Sequence, residues 1–318
     1  MGNWRIAKNV QTYARASSNL GWDSSSFFSH LVFPSQPRPL IFTPLWFDVK
    51  RRCFHGNIKD DTGKVVKMVK LTMSTPWLPK TNENTREKQP IVCFPFAGGG
   101  SSFYYRWAQK LPPSFHVLPV RLPGRESRFE ESPFESIHAL ADVVADVLGH
   151  ALDGPFSIFG YSMGAILGFE VSRRLIQGSS AKPRRMIVVA CRAPQLPNQQ
   201  EPLHTLEDQE LIDAIRSQFG GISDELFQQQ SLIKALLPTI RADLKSVETY
   251  SFQVAPPLDI PILALGGASD TTVPLADLDA WREQTSAAFK LRTFPGGHFF
   301  FEAAQKSATQ TIVRWLGL

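Results

Sequence analysis

Runs of consecutive apolar residues recur along the chain from Pro90 onward, and glycine or proline bounds most of them. Continuous apolar runs are typical of strands buried on both faces, because a half-exposed strand alternates apolar with polar side chains. The pattern therefore predicts buried strands at residues 91–94, 117–120, 156–159, 186–190 and 262–265, and a more polar edge strand at residues 289–294.

Helical patterns lie between the predicted strands. The clearest covers residues 133–151, where apolar side chains recur at i, i+3, i+4, i+7 and i+8 from Leu140. The sequence Ser132-Pro133-Phe134-Glu135 predicts a capping box at its start, with proline at the first helical position. Alternating strands and helices predict an α/β fold with a doubly wound, mostly parallel sheet, whose functional site lies at the carboxyl ends of the strands.

Residues 194–257 interrupt this alternation. They contain helical patterns at residues 210–219 and 231–237 and no strand-like run. The insertion begins just after the predicted strand 186–190, so in a parallel sheet it leaves from the edge that carries the site. We therefore expect a helical lid over the site, and ordinary packing helices are the alternative.

The segment Gly160-Tyr161-Ser162-Met163-Gly164 stands between the predicted strand 156–159 and a helical pattern at residues 165–177. A G-x-S-x-G sequence in this context is the pattern of a nucleophile elbow, in which the serine hydroxyl projects over the end of a sheet. The glycines allow the close approach of strand and helix that the turn requires. Ser162 is therefore the predicted nucleophile, and an ordinary Gly/Ser turn is the alternative.

A serine hydroxyl needs a base to accept its proton, and the base needs an acid to orient it. His298 is the predicted base, because it lies in a Gly-Gly loop directly after the last predicted strand. This position also fits the order serine, acid, histidine that the α/β-hydrolase fold requires along the chain. Each of the other six histidines precedes Ser162 or falls within the insertion.

Asp270 is the predicted acid, since it lies in the loop that follows the predicted strand 262–265. Asp259 is the rival candidate, but it precedes that strand, so its side chain would lie at the opposite end of the sheet. Asp277 and Asp279 are predicted to be solvated or capping residues of the next helix.

The tetrahedral intermediate of acyl transfer requires backbone N–H donors near its oxyanion. Met163, directly after the serine, is predicted to supply one donor, and Phe96 or Ala97 in the glycine-rich loop 94–100 the other. A glycine-rich loop can also bind phosphate, but the sequence has neither the GxxxxGK[ST] nor the GxGxxG pattern here.

Composition and charge exclude several functional classes. A chain of 318 residues that is 43% hydrophobic can form one α/β domain with an appendage. No apolar run approaches the roughly 18 residues that cross a bilayer, so we expect no transmembrane segment. Residues 1–89 hold 14 of the 34 basic and 6 of the 29 acidic side chains, so the net charge of +5 belongs to the N-terminal segment. The remainder has no basic stripe, and we expect no nucleic-acid partner.

Residues 1–88 are predicted to be an N-terminal extension, mostly outside the core, and residues 89–318 the folded domain. The three cysteines, Cys53, Cys93 and Cys191, lack metal-ligand spacing, so we expect no zinc site and a reduced, cytoplasmic compartment. The start of the extension is basic and poor in acidic residues, as in an organelle transit peptide, so a plastid or mitochondrion is the alternative location. A disordered tail or an artefact of gene prediction would give the same composition.

Five separate stretches together carry a specific resemblance to a known family. They are residues 94–100 with Phe103 and Trp107; residues 121–126 with Arg128 and Phe129; residues 160–164; residues 241–243 with residues 248–250; and residues 296–300. Through them the chain from about residue 90 to 318 resembles the type II thioesterases that accompany polyketide and nonribosomal peptide synthetases. These are relatives of the medium-chain thioesterase of animal fatty acid synthesis. Many relatives have histidine or tyrosine in place of Phe96.

The resemblance implies that Ser162, Asp270 and His298 hydrolyse acyl thioesters held on the phosphopantetheine arm of an acyl or peptidyl carrier protein, without a metal or cofactor. We expect the enzyme to be a monomer. Carrier proteins are usually acidic, so Arg121, Arg125 or Arg128 is predicted to lie near the mouth of the site and to assist docking. A general carboxylesterase or peptidase and an inactive acyl-binding protein are the alternatives, because fold and triad do not distinguish an ester from a thioester.

Overall fold

The computed structural model describes residues 58–59, 65–66, 75–79, 88–176, 179–198, 201–220 and 229–317. Within these residues the main sheet has six strands, in the spatial order β2-β1-β3-β4-β5-β6, and every neighbouring pair is parallel. The strands are β1 Gln89–Phe94, β2 Phe115–Pro119, β3 Gly154–Tyr161, β4 Ala181–Val189, β5 Ile262–Gly267 and β6 Phe289–Phe294. A separate antiparallel pair joins Ile58–Lys59 to Val65–Val66.

Helices cover both faces of the sheet. The α-helices of the described residues are α1 Ser102–Ala108, α2 Ile137–Ala151, α3 Met163–Ile176, α4 Asp208–Phe219, α5 Gln230–Glu248, α6 Leu275–Asp279, α7 Phe300–Ala303 and α8 Gln305–Leu316, of which α4 and α5 belong to the insertion 194–257. In β1, Val92 belongs to the core cluster that includes α2 and α3, whereas Ile91 and Cys93 belong to the cluster that includes α1, α7 and α8. Successive side chains therefore enter opposite cores, which confirms the predicted doubly wound α/β fold.

The parallel direction of the strands brings their carboxyl ends to one edge of the sheet. The loops after β1, β3, β5 and β6 therefore start from that edge, and these loops hold Ala97, Ser162, Asp270 and His298. The described part of the chain has no helix that is both long and apolar enough to span a bilayer.

The predicted capping box at residues 132–135 is wrong, because helix α2 begins at Ile137 with Ser136 as its N-cap. The Ser136 hydroxyl accepts from the Ala139 N–H at 3.4 Å. The helix starts later because Ser136, four residues after Ser132, caps it, while Glu135 forms a solvent-exposed ion pair with Lys245 of α5. Local sequence thus indicated the helix, but not which of its serines is the cap.

Two further elements are longer than the sequence predicts. Strand β4 begins at Ala181, before the predicted start at residue 186. Its first half was missed because it is not a continuous apolar run: exposed residues such as Lys182 and Arg184 alternate with buried ones. Helix α5 continues through Pro238 to Glu248, although proline inside a helix removes one backbone hydrogen bond. Buried polar side chains in its second half anchor this helix to the domain, and they are described below.

Of the N-terminal extension, the described residues 75–79 contribute to the core. Trp77 and Leu78 are buried in the cluster that contains α2 and α3, and the Trp77 carbonyl accepts from the Arg121 N–H at 2.8 Å. The predicted transit segment and Cys53 lie outside the described residues.

Candidate active site

Ser162 occupies the turn between β3 and α3, as the elbow pattern predicts. Its φ of +51° is a left-handed conformation, which costs a non-glycine residue about 1–2 kcal/mol. The flanking glycines are required sterically: a Cβ on Gly164 would lie 2.1 Å from the Phe94 carbonyl oxygen, and one on Gly160 would lie 2.4 Å from the Gly164 oxygen. The turn therefore holds the serine in a strained conformation at the carboxyl edge of the sheet.

His298 lies in the loop between β6 and α7, and its Nε2 is 3.2 Å from the Ser162 Oγ. The imidazole is 4% exposed. The buried Tyr161 hydroxyl donates to the His298 carbonyl oxygen at 2.8 Å, which fixes the backbone of the histidine loop from the neighbouring strand. The predicted base thus lies in position to accept the serine proton.

Asp270 lies after β5, with Oδ2 at 3.0 Å from the His298 Nδ1. Because a carboxylate only accepts hydrogen bonds, Nδ1 carries the proton and Nε2 is free to accept from Ser162. The other oxygen, Oδ1, accepts from the Thr272 hydroxyl at 2.7 Å and from the backbone N–H groups of Thr272 and Val273. Burial opposes ionisation of Asp270, but the hydrogen bonds from His298 and Thr272 prevail and hold its pKa below the ordinary value.

The other aspartates considered from the sequence do not reach His298. Asp259 precedes β5 and contacts Ser286 at 3.4 Å. Asp277 pairs with Arg192, and Asp279 pairs with Arg282. The structure therefore brings together Ser162, His298 and Asp270 in the order that the chain predicts.

A cavity of about 140 Å³ opens beside the triad. Its lining is mostly apolar, and it includes the side chains of Ile166, Leu196, Leu203, Leu244, Val247 and Val273. Phe219, the last residue of α4, also lines the cavity, and its ring centroid is 5.0 Å from that of His298 in an edge-to-face arrangement. The cavity therefore offers apolar surface next to the serine, which suits the hydrocarbon part of an acyl group.

The glycine-rich loop after β1 places Ala97 on the cavity wall together with Met163. The Phe96 side chain packs in an aromatic cluster, with ring centroids 5.1 Å from Phe299 and 5.4 Å from Tyr161. The predicted oxyanion donors thus lie on the two segments that flank the serine. Phe96 and Ala97 both stay candidates for the second donor.

The docking prediction is wrong for two of the three arginines that it named. Arg125 and Arg128 are 5% and 7% exposed. Arg125 pairs with Asp243 of α5, and the Arg128 guanidinium lies 4.0 Å from the centroid of the Trp77 ring. The sequence prediction assigned Arg125 and Arg128 to contacts with a carrier protein, but both form their charged contacts inside the domain. Docking through Arg121 stays a prediction.

Cys93 and Cys191 are free and buried, and Cys191 lines the cavity. Burial raises the pKa of the Cys191 thiol to about 12, so it is not a reactive thiolate at neutral pH. Within the described residues, no three His, Cys, Asp or Glu side chains are grouped so that they could hold a metal ion.

Sequence reasoning missed three contributors to the site: Thr272, Phe219 and the Tyr161 hydroxyl. Thr272 lies two residues after Asp270, and an Asp-x-Thr turn in the acid loop is the signal that could have found it. Phe219 and the Tyr161 hydroxyl act across the fold, and no local pattern marks them.

A family model described as the thioesterase domain matches residues 89–316 of the chain. The chain belongs to the thioesterase family. This thioesterase is accordingly a thioester hydrolase of the α/β-hydrolase fold, and the resemblance seen in the sequence is confirmed.

Proteins similar to this thioesterase include biosynthesis proteins and other thioesterases. Gramicidin S biosynthesis protein GrsT of Aneurinibacillus migulanus is 33% identical over 251 residues, which cover 79% of this chain and 98% of GrsT. Thioesterase PikA5 of Streptomyces venezuelae is 35% identical over 225 residues, which cover 70% of this chain and 79% of PikA5. The solved structure of the type II thioesterase BorB from the borrelidin biosynthetic cluster matches with a TM-score of 0.70 at 35% identity, covering 76% of this chain and 98% of BorB.

Proposed function

We propose that this thioesterase uses Ser162 to hydrolyse acyl thioesters carried on the phosphopantetheine arm of an acyl or peptidyl carrier protein. The observation that carries the proposal is the hydrogen-bonded series from Asp270 through His298 to Ser162, which ends at a largely apolar cavity. The biosynthetic setting rests on the relatives, whose names place them in gramicidin S and borrelidin biosynthesis. Release or editing of acyl chains in fatty acid, polyketide or nonribosomal peptide synthesis is the role that fits both the site and the relatives.

In the first half of the proposed reaction, the Ser162 Oγ attacks the thioester carbonyl carbon while the His298 Nε2 accepts the hydroxyl proton. The resulting imidazolium is stabilised by the Asp270 carboxylate 3.0 Å away. The C–S bond then breaks, and His298 returns the proton to the departing thiolate. The carrier leaves as a free thiol, and the acyl group stays on the serine as an ester.

In the second half, a water molecule enters and His298 accepts one of its protons as the oxygen attacks the acyl ester. The bond between the acyl carbon and the Ser162 Oγ breaks, the serine regains its proton from His298, and the free carboxylic acid departs. The oxyanion of both tetrahedral intermediates is proposed to accept from the N–H of Met163 and from that of Ala97 or Phe96.

We propose that only the first part of the insertion 194–257 acts as a lid. Its last helix, α5, buries the polar residues Thr239, Asp243 and Ser246, which are 4%, 2% and 2% exposed, so it is fixed on the domain. Helix α4 by contrast buries Leu211 and Ile212 in a small cluster outside the main cores. Elements with few buried contacts open at the lowest free-energy cost. Helix α4, which ends at Phe219 beside His298, is therefore the proposed cover.

Replacing Phe219 with alanine tests this covering role. The variant removes an apolar wall of the cavity next to His298, so we expect kcat/KM for an octanoyl thioester to fall about tenfold, the effect of losing about 1.4 kcal/mol of apolar contact. An acetyl thioester is too short to use that wall, so its kcat/KM should change less. Phe219→Leu, which keeps an apolar side chain, is the matched control. An unchanged octanoyl-to-acetyl ratio in Phe219→Ala would contradict the proposed contact.

The preference for a carrier is tested by comparing an octanoyl carrier protein with p-nitrophenyl octanoate, which share the acyl group and differ in the leaving group. We expect kcat/KM to be about a hundredfold higher on the carrier, because binding energy from the carrier is available in the transition state. Ser162→Ala serves as the blank for both substrates.

Equal or faster turnover of the ester would indicate a general carboxylesterase. Binding of the octanoyl carrier without turnover, and without labelling of Ser162 by a fluorophosphonate, would indicate an inactive acyl-binding protein. A panel of acetyl to palmitoyl carriers then gives the chain-length preference from the release of free acid.

A further inference from the structure

The glycine-rich loop after β1 is held from outside by charged side chains that the proposed reaction does not use. Within the loop, the Gly99 N–H donates to the Phe96 carbonyl oxygen at 2.8 Å, and Gly98 has a φ of +72°. Consecutive glycines lose more conformational freedom on folding than any other residues, so such a segment does not define its own geometry. The contacts that fix it come from α5 and from the loop after β2.

Asp243 and Arg125 hold the middle of this loop. The Asp243 Oδ2 accepts from the Gly98 N–H at 2.8 Å, and its two oxygens accept from Arg125 at 2.7 and 2.8 Å. Arg125 Nη1 also donates to the Gly99 carbonyl oxygen at 3.0 Å. Both charged side chains are at most 5% exposed. A buried bidentate pair thus binds one N–H and one C=O of adjacent loop residues.

Glu126, the next residue along the chain, holds the end of the loop. Its Oε2 accepts from the Ser101 N–H at 2.9 Å, and its Oε1 accepts from the Ser102 N–H at 3.0 Å; both serine hydroxyls donate to it as well. Burial opposes ionisation, but the hydrogen bonds from the two serines prevail and lower the Glu126 pKa.

The fit between Glu126 and the loop is specific in shape as well as in charge. The Glu126 Oε1 lies only 2.5 Å from the position that a Cβ on Gly100 would occupy. Glu126 itself has a φ of +50°, a conformation that non-glycine residues seldom adopt. The chain therefore accepts a strained residue at the point where the carboxylate reaches the loop.

We propose that Arg125, Glu126 and Asp243 are positioning residues that hold the glycine-rich loop so that the N–H of Ala97 or Phe96 points at the oxyanion. The inference rests on the proposed function, because it assigns a purpose to the loop in acyl transfer. Oxyanion donors accelerate a reaction by being fixed before charge develops, so a loop that needs reorientation at that moment loses the benefit. Asp243 also belongs to α5, which explains why that helix is fixed while α4 is the proposed cover.

Two variants test the proposal, and a third is the control. Asp243→Asn keeps the size of the side chain but removes the negative charge that accepts from Gly98 and Arg125. Glu126→Gln removes the charge of the carboxylate at the end of the loop. Glu131→Gln removes the partner of Arg128, five residues from Glu126 and without a hydrogen bond to the loop among the described contacts.

We expect Asp243→Asn to lower kcat on an octanoyl carrier about a hundredfold with KM changed less than about twofold, since loss of one oxyanion donor costs about 10²–10³ in kcat. Glu126→Gln should lower kcat about tenfold, and Glu131→Gln should have the kcat of the wild type. Octaneboronic acid, which forms a tetrahedral adduct with an active serine, should bind each variant more weakly by a factor similar to its loss of kcat.

If these residues have only a structural role, Asp243→Asn and Glu126→Gln would unfold at a lower temperature than the wild type but keep its kcat and its boronate affinity. That outcome overturns the inference. If Asp243→Asn fails to fold, Glu126→Gln decides by the same two readouts. A wild-type enzyme that neither hydrolyses the octanoyl carrier nor binds the boronate refutes the proposed function instead. The two failures are thus distinguishable.

Discussion

Replacing Ser162 with alanine is expected to lower kcat on an octanoyl carrier by about 10⁵-fold or more, the order of loss seen when a serine nucleophile is removed from a triad. The reason is structural. The Ser162 Oγ lies 3.2 Å from the His298 Nε2 at the opening of the cavity, and its removal takes away the only atom proposed to form the acyl ester. Release of free octanoic acid measures the effect, and a fluorophosphonate should label the wild type and not the variant.

A serine in the strand that leads to Ser162 provides the control. Ser157 lies in β3, five residues before Ser162 and away from the carboxyl end of the sheet, so Ser157→Ala should keep both turnover and labelling. A comparable loss of turnover and labelling in Ser157→Ala and Ser162→Ala would indicate damage to the strand rather than loss of a nucleophile. Substantial turnover by a folded Ser162→Ala enzyme would contradict the proposed mechanism.

Replacing Asp270 with asparagine is expected to lower kcat by about 10³–10⁴-fold. The serine, the histidine and the cavity remain, but the carboxylate that orients the imidazole is lost. The amide no longer ensures that the proton stays on the His298 Nδ1, so the fraction of enzyme whose Nε2 can accept from Ser162 falls. Asp259→Asn is the matched control, because that aspartate precedes the same strand and contacts Ser286. A larger loss in Asp259→Asn than in Asp270→Asn would reverse the assignment of the acid.

We also expect the stability of the protein to depend on pH through the Asp270 carboxyl group. Burial disfavours the Asp270 carboxylate, but the hydrogen bonds from His298 and Thr272 outweigh it, and the folded-state pKa lies below the ordinary 3.8. The ionised side chain therefore contributes stability above about pH 4, and this contribution is lost as the pH falls through the folded-state pKa. We expect the difference in unfolding free energy between wild type and Asp270→Asn, measured by urea denaturation, to shrink as the pH falls below about 4. A difference that is constant with pH would contradict this linkage.

Local sequence predicted the existence of elements better than their ends. The buried strands were found because short continuous apolar runs bounded by glycine or proline are typical of strands buried on both faces, and β6 was predicted with its observed bounds. The start of α2 was placed four residues early, because Ser136 rather than Ser132 caps the helix. The end of α5 was missed because Pro238 is tolerated where the buried contacts of Asp243 and Ser246 hold the helix.

Arg125 illustrates why charge in a sequence is ambiguous. An arginine in a glycine- and proline-containing loop resembles an exposed docking residue, and local composition does not reveal a carboxylate 118 positions away. Tertiary packing supplies Asp243 at 2.7 Å and makes the charge a buried internal contact. The same packing gives Phe219 its position over His298, with no periodicity or motif to announce it.

The sequence by itself determined the family through its five motif stretches, and the parallel α/β sheet through strand and helix periodicity, which is local. It also predicted Ser162, Asp270 and His298 as the triad, because chain order assigns their loops to one edge of the sheet. Only the tertiary structure decided what holds these groups in place: the hydrogen bonds of Thr272 and Tyr161, the ring of Phe219, and the buried charges around the glycine-rich loop. Contacts of this kind join residues that are distant along the chain. Their energy depends on burial and on distances between atoms, which exist only after the strands and helices have packed.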